Sequence, residues 1–138
     1  MTTAARTNVL KYALITFGVI YIVGLYPLTR LWPSGWSWGT GHSHYLSMIL
    51  GVYATLGVFL IRAAFDPLAN RSLIWFTVWS NVVHALVMAA EVLTDPAEIG
   101  HLWGDVPVLL VVAAALAYLT PKATTVSALS DRSARRAA

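Results

Sequence analysis

Histidine and carboxylate side chains occur at five positions whose chemistry suits a binding or catalytic site: His42, His44, Glu91, His101 and Asp105. Imidazole nitrogens and carboxylate oxygens are ligands for zinc, copper and iron, and a carboxylate can also act as a general base. His42 and His44 form a His-x-His pair, and His101 and Asp105 are one helical turn apart. Neither spacing is specific to one protein family, so metal binding is one of several hypotheses.

A further polar group is predicted on one face of a helix, where suitable residues recur at three- and four-residue steps. Its members are Thr77, Asn81, His84, Met88 and Glu91. The imidazole and the carboxylate of this stripe are separated by roughly 10 Å along the helix axis. A polar stripe inside a membrane must face protein or water, because its exposure to lipid is costly.

The composition indicates that these residues belong to a membrane protein. The chain has 138 residues, of which 58% are hydrophobic and 11% are charged, whereas about 25% are charged in an ordinary soluble domain. It contains no cysteine, which excludes disulfide scaffolds, thiolate metal sites and thiol nucleophiles. A single soluble globular domain is therefore not expected.

Four apolar stretches are long enough to cross a hydrocarbon core of about 30 Å. We predict spans at about residues 10–29, 43–62, 72–92 and 102–120, which together form a membrane domain over residues 1–122. The fourth is short unless it carries Asp105 into the membrane edge. The basic segment 123–138 is predicted to be a disordered cytoplasmic tail. The expected fold is an all-α, antiparallel four-helix transmembrane bundle.

The distribution of basic residues predicts the orientation of this bundle. Arg30 alone falls on one side, and eight basic residues fall on the other: Arg6, Lys11, Arg62, Arg71, Lys122, Arg132, Arg135 and Arg136. Since basic loops remain cytoplasmic, both termini should lie in the cytoplasm. The five potential ligands then lie near the outer surface, while the basic rim suits anionic lipid headgroups. The tail has no aromatic residue to stack on bases, so nucleic acid is not an expected partner.

Small residues at helical spacing indicate where helix backbones approach each other. Pairs such as Ala85 with Ala89 and Ala113 with Ala117, and the glycines within the first two spans, are expected to pack in helix interfaces.

Two segments of this chain resemble known sequences. RSLIWFTVWSNVVHALVM, at residues 71–88, together with GHSHYLSMILGVY, is similar to small four-span bacterial membrane proteins without an assigned activity. The similarity covers about the middle third of the chain and implies the four-helix architecture. We therefore expect a multi-pass protein of a bacterial plasma membrane.

Three hypotheses account for the polar residues. In the first, His42, His44, His84, His101 and Asp105 bind a transition metal such as zinc, copper or iron, with haem as a weaker variant. In the second, His84 and Glu91 handle protons in an outward-facing pocket. In the third, His84 hydrogen-bonds within the bundle to Asn81 or Ser80, and the outer groups are ordinary interfacial residues.

The functional prediction that follows is a small membrane accessory subunit or binding module with an outward-facing His/carboxylate pocket for a metal or polar ligand. One alternative is a metal-dependent oxidoreductase or hydrolase with Glu91 as the candidate general base. A second is a proton-coupled transporter acting as a homo-oligomer, because one four-span unit encloses little more than its own side chains. The bilayer is the expected partner in each case, and a larger membrane complex is expected for an accessory subunit.

Overall fold

The computed structural model describes residues 3–37 and 44–121, and within these ranges the chain forms helices and turns without a strand. Eight helical elements follow in order: α1 (Thr3–Val19), a π-helical turn (Ile20–Gly24), α2 (Leu25–Leu31), α3 (Pro33–Trp36), α4 (His44–Ala63), α5 (Arg71–Val92), a 3-10 helix (Pro96–Leu102) and α6 (Asp105–Leu119). The segment 123–138, which was predicted to be disordered, lies outside the described residues.

Four continuous helical segments are long and apolar enough to cross a membrane, as predicted. They cover Ala4–Leu31, His44–Ala63, Arg71–Val92 and Pro96–Leu119. The first begins before residue 10, because alanine and arginine favour the helix beyond the apolar stretch. The fourth starts with the 3-10 helix, at whose beginning the carboxylate of Asp95 accepts a hydrogen bond from the backbone N–H of Ala97 (3.1 Å).

The bundle is held together by contacts of α1 with α4 and α6, and of α5 with α6. Its interior contains fully buried apolar side chains from each of these helices: Leu10, Leu14, Leu60, Ile74 and Leu116. The helices α1 and α4 approach closely at two glycines. A Cβ atom added to Gly18 would lie 2.7 Å from the carbonyl oxygen of Gly57, and one added to Gly57 would lie 2.5 Å from that of Gly18.

The other small residues have different surroundings. Ala85 and Ala113 are buried in the interior, in agreement with the expected packing role. Gly51 differs, because a Cβ atom there would have no neighbour within 4 Å. Helical spacing alone could not separate these cases, since glycines on different faces of α4 look the same in the sequence.

A short cap covers one end of the bundle, where α3 packs on the 3-10 helix. The contact is made by backbone: a Cβ atom added to Gly104 would lie 2.2 Å from the carbonyl oxygen of Gly35. One added to Gly100 would lie 2.1 Å from the carbonyl oxygen of Ser34. Glycine is therefore required at both positions of this surface, which we call the cap contact.

At the opposite end of the bundle, Arg6 of α1 holds the last turn of α6. Its guanidinium donates to the carbonyl oxygen of Tyr118, lies 3.5 Å from that of Thr120, and is 5.3 Å from the centroid of the Tyr118 ring. A cation at a helix C-terminus satisfies carbonyl groups that have no intrahelical partner.

Candidate functional site

The polar stripe of α5 faces the bundle interior over most of its length. Thr77, Asn81 and Met88 are buried and His84 is half-buried, whereas Glu91 is exposed. Both polar atoms of the Asn81 side chain form hydrogen bonds. Its Oδ1 accepts from the hydroxyl of Tyr21 (2.9 Å), and its Nδ2 donates to the carbonyl oxygen of Thr77 (2.8 Å). Buried polar groups of this kind are normally paired.

His84 is hydrogen-bonded to a neighbouring helix. Its Nδ1 atom lies 2.7 Å from the hydroxyl oxygen of Tyr53 on α4. The predicted partners of His84, Asn81 and Ser80, bond elsewhere. Asn81 accepts from the hydroxyl of Tyr21, and Ser80 donates to the carbonyl oxygen of Thr77 (3.1 Å). A serine within a helix commonly donates its hydroxyl proton to a carbonyl group one turn back.

Two tyrosine rings connect these hydrogen bonds. Tyr21 and Tyr53 meet edge to face, with ring centroids 4.9 Å apart and an interplanar angle of 81°. Tyr21 lies in the π-helical turn, where the helix is wider than an α-helix; such turns frequently occur at functional sites. The result is a continuous set of contacts from Asn81 through Tyr21 and Tyr53 to His84.

A second polar cluster lies beneath the cap contact. His101 is fully buried, with its Nδ1 atom 2.8 Å from Oδ2 of Asp105 and its Nε2 atom 3.3 Å from Oε2 of Glu98. His101 and Asp105 are thus close together, although His101 lies in the 3-10 helix and Asp105 begins α6. The imidazole lies between two carboxyl groups. The contact with Asp105 was predicted, and the contact with Glu98 was not.

Between the two polar clusters lies a cavity of about 440 Å³. Most of its wall is apolar and comes from α1, the π-helical turn, α4 and α6, including Phe17, Ile20, Leu46, Leu50, Leu109 and Val112. Residues with polar side chains also line it, among them Tyr53, His84 and Asp105 from three different helices. Apolar walls with a few convergent polar groups are typical of small-molecule binding sites.

Two buried polar atoms, which belong to residues that line the cavity, have no hydrogen-bond partner among the described residues. They are Oδ1 of Asp105 and the indole Nε1 of Trp36. Asp105 is only 9% exposed, and its other oxygen is bound to His101. The backbone N–H of Val106 is near the carboxyl group, yet Oδ1 receives no hydrogen bond of ordinary geometry. Unsatisfied buried atoms carry a free-energy cost, so each requires an explanation.

The remaining residues of the predicted metal set do not join this cavity. His42 lies outside the described residues, His44 is exposed, and His101 does not line the wall. Within residues 3–37 and 44–121, no group of three or more histidine, aspartate or glutamate side chains could hold a metal ion. The expected histidine cluster is thus not supported, and the mainly apolar wall differs from the expected His/carboxylate pocket.

A family model described as a family of unknown function, DUF6632, matches residues 4–138. The chain belongs to this family. No curated protein and no solved structure matches it. The match is consistent with the expectation of a protein family without an assigned activity.

Sequence reasoning missed three residues of the site: Tyr21, Tyr53 and Trp36. The two tyrosines lie within predicted apolar spans, and the tryptophan lies between the first two spans. A signal was present, because a tyrosine hydroxyl deep inside an apolar helix needs a hydrogen-bond partner. Asn81 and His84 are the polar side chains of the nearby stripe that supply those partners.

Proposed function

We propose that this protein is a membrane-embedded binding module whose cavity takes up a lipid-soluble small molecule. The four helical segments would cross a bacterial plasma membrane as an antiparallel bundle with both termini in the cytoplasm. The length and apolar character of the segments support this arrangement, as does the placement of eight of nine basic residues on one side.

The observation that carries the proposal is the character of the cavity wall. A volume of about 440 Å³ lies within the range of about 300–1,000 Å³ found for small-molecule sites. Its apolar wall suits a hydrocarbon body, while polar side chains among the lining residues, such as that of His84, suit a head group. Part of the wall is formed by side chains exposed on the bundle surface, such as Tyr45 and Val111. In a bilayer these side chains would face lipid, which would give a lipid-soluble ligand direct access.

The alternatives have less support. His44 is exposed, and His101 contacts two carboxyl groups. The described members of the proposed metal-ligand set therefore do not come together at one site. Glu91, the candidate general base, is exposed and does not line the cavity. For a proton path, the polar side chains of the α5 stripe below His84 donate to backbone carbonyl groups of their own helix: Asn81 to that of Thr77 (2.8 Å) and Thr77 to that of Leu73 (2.9 Å).

Binding can be measured with the protein in lipid nanodiscs. Dodecanol and dodecane are equilibrated with protein-containing and empty nanodiscs, and the retained amounts are determined by gas chromatography. We expect the protein to retain at least one of the two compounds in excess of empty nanodiscs.

A matched pair of variants on α4 locates the binding. Leu50→Trp enlarges a half-buried residue of the cavity wall, whereas Val52→Trp adds the same side chain at a position that is 64% exposed and outside the wall. Leu50→Trp should abolish the excess retention and Val52→Trp should preserve it. No excess retention of either compound, or equal retention by the two variants, would contradict the proposal.

A further inference from the structure

One ring nitrogen of His84 differs from the other polar atoms of the residues that line the cavity. Nδ1 lies 2.7 Å from the hydroxyl oxygen of Tyr53. Within residues 3–37 and 44–121, Nε2 has no hydrogen-bond partner, yet it is not one of the polar atoms that are both enclosed and unpartnered. Because His84 lines the cavity and is only half-buried, Nε2 keeps surface that another molecule can contact.

The Tyr53 hydroxyl determines which nitrogen of His84 carries hydrogen. This hydroxyl has one proton to donate, and among the described residues its one hydrogen-bond partner is Nδ1 of His84. Nδ1 is therefore the acceptor, and the neutral imidazole carries its hydrogen on Nε2. In the protonated imidazole both nitrogens carry hydrogen. Nε2 is thus a hydrogen-bond donor in either state.

Two other hydroxyl groups of residues that line the cavity are already used inside the bundle. That of Tyr21 donates to Oδ1 of Asn81 (2.9 Å), and that of Thr29 donates to the carbonyl oxygen of Tyr26 (2.7 Å). Each hydroxyl group carries only one proton. Neither of the two can therefore donate to a ligand without breaking a bond within the protein.

Three further polar residues line the cavity without offering a donor inside it. Nε1 of Trp36 and Oδ1 of Asp105 are enclosed by protein atoms, and Oδ2 of Asp105 is bound to His101. Tyr45 is 80% exposed, so its ring lies at the bundle surface. Among the described residues of the wall, Nε2 of His84 is therefore the donor that remains for a ligand within the cavity.

A donor in an apolar wall selects the polar group of the ligand. A ketone oxygen accepts hydrogen bonds and has no proton that needs an acceptor. A hydroxyl group also accepts, but its own proton would meet mostly apolar side chains. An ammonium group only donates. A carboxylate accepts, but the burial of an ion among apolar side chains costs more than one net hydrogen bond contributes.

We infer that the ligand of this cavity is a lipophilic molecule with a neutral acceptor group, such as a ketone, whose oxygen accepts a hydrogen bond from Nε2 of His84. The inference rests on the proposed function, since it specifies the polar group of the molecule that the cavity takes up. It also assigns the two nitrogens of His84 separate roles. Nδ1 joins α5 to Tyr53 of α4, and Nε2 binds the ligand.

The test compares compounds that have a similar hydrocarbon body and differ in the polar group. 2-Dodecanone, dodecanol, dodecylamine and dodecane are each equilibrated with protein-containing and empty nanodiscs, and retention is expressed relative to the empty nanodiscs. We expect 2-dodecanone to be retained about 5-fold more than dodecane, the ratio given by one net hydrogen bond of average strength. Dodecanol and dodecylamine should both be retained less than 2-dodecanone.

Substitutions of His84 then separate its two hydrogen bonds. His84→Asn keeps an oxygen near the position of Nδ1 but has no atom at the position of Nε2, whereas His84→Gln extends an amide N–H towards that position. His84→Asn should abolish the preference for 2-dodecanone over dodecane, and His84→Gln should keep part of it. Dodecane retention, which needs no hydrogen bond, shows for each variant whether the cavity is intact. His44→Asn is the control and should leave the preference unchanged, because His44 is exposed and does not line the cavity.

The outcomes separate the two proposals. If the unsubstituted protein retains 2-dodecanone and dodecane equally, the cavity takes up apolar molecules without a contribution from Nε2, and the acceptor inference is overturned. Stronger retention of dodecanol or dodecylamine, or an unchanged preference in His84→Asn, would likewise overturn it. If none of the compounds is retained in excess, the proposed function fails as well.

Discussion

Nδ1 of His84 lies 2.7 Å from the hydroxyl oxygen of Tyr53, so one hydrogen bond connects the middle of α5 to the middle of α4. Few other contacts join these two helices. In an apolar bundle such a bond fixes the rotation of each helix about its axis and thereby the shape of the cavity between them. Its contribution can be measured separately from that of the tyrosine ring.

Tyr53→Phe should lower the free energy of unfolding by about 0.5–1.5 kcal/mol, because the ring remains while the hydrogen bond is lost. A double-mutant cycle with His84→Ala should give a coupling free energy of about 0.6 kcal/mol, the average for interhelical hydrogen bonds in a well-measured membrane protein. Unfolding in mixed micelles at increasing denaturing detergent provides the measurement. Tyr45→Phe is the control, since Tyr45 is 80% exposed on the same helix. Strict additivity of the two changes would show that the bond contributes nothing.

Two glycines of α4 should respond in opposite directions to the same substitution. Gly57→Ala places a Cβ atom 2.5 Å from the carbonyl oxygen of Gly18, so α1 and α4 must separate, at a cost of about 1–3 kcal/mol. Gly51→Ala meets nothing within 4 Å and should stabilise the helix by roughly 0.5–1 kcal/mol. Both values follow from the same unfolding measurement. Similar effects of the two substitutions would contradict the close approach of α1 and α4.

Arg6→Ala should loosen the last turn of α6, because the guanidinium no longer holds the carbonyl groups of Tyr118 and Thr120. The expected loss is about 0.3–1 kcal/mol, in the range for a cation at a helix C-terminus. Hydrogen exchange followed by mass spectrometry should show faster exchange confined to the end of α6. Lys11→Ala removes a positive charge from an exposed position of α1 and should not have this effect. Equal protection of α6 in both variants would exclude the role of Arg6.

The natural absence of cysteine makes the orientation directly measurable. Single cysteines are introduced as Ser34→Cys in the cap and Ala69→Cys in the turn between α4 and α5, both at exposed positions. In intact cells a membrane-impermeant maleimide should label the first and not the second, and after lysis it should label both. Labelling of Ala69→Cys alone in intact cells would reverse the proposed topology.

The parts of the structure that depend on local composition could be predicted, and those that depend on tertiary contacts could not. The four apolar helices follow from long charge-free stretches. The contact of His101 with Asp105 is between residues four apart in the sequence, but it is formed across the junction of the 3-10 helix and α6. The partner of His84 depends on which face of α4 meets α5, and Tyr53 gives no sign of this in the sequence. Likewise, Gly35 and Gly104 are far apart in the chain, so their contact and the cavity beneath it appear only in the folded molecule.

The parts of the chain before and after the two central helices touch at both ends of the bundle. Gly35 of α3 meets Gly104 at the cap, and Arg6 of α1 meets Thr120 at the opposite end. This arrangement has a consequence for biogenesis. In the proposed membrane arrangement, spans leave the ribosome in order, so the polar groups of Tyr21, Asn81 and His84 would enter the bilayer before α6 has been made. A nascent chain that stalls before residue 105 would present an open groove, and membrane quality-control proteases could distinguish it from the finished protein.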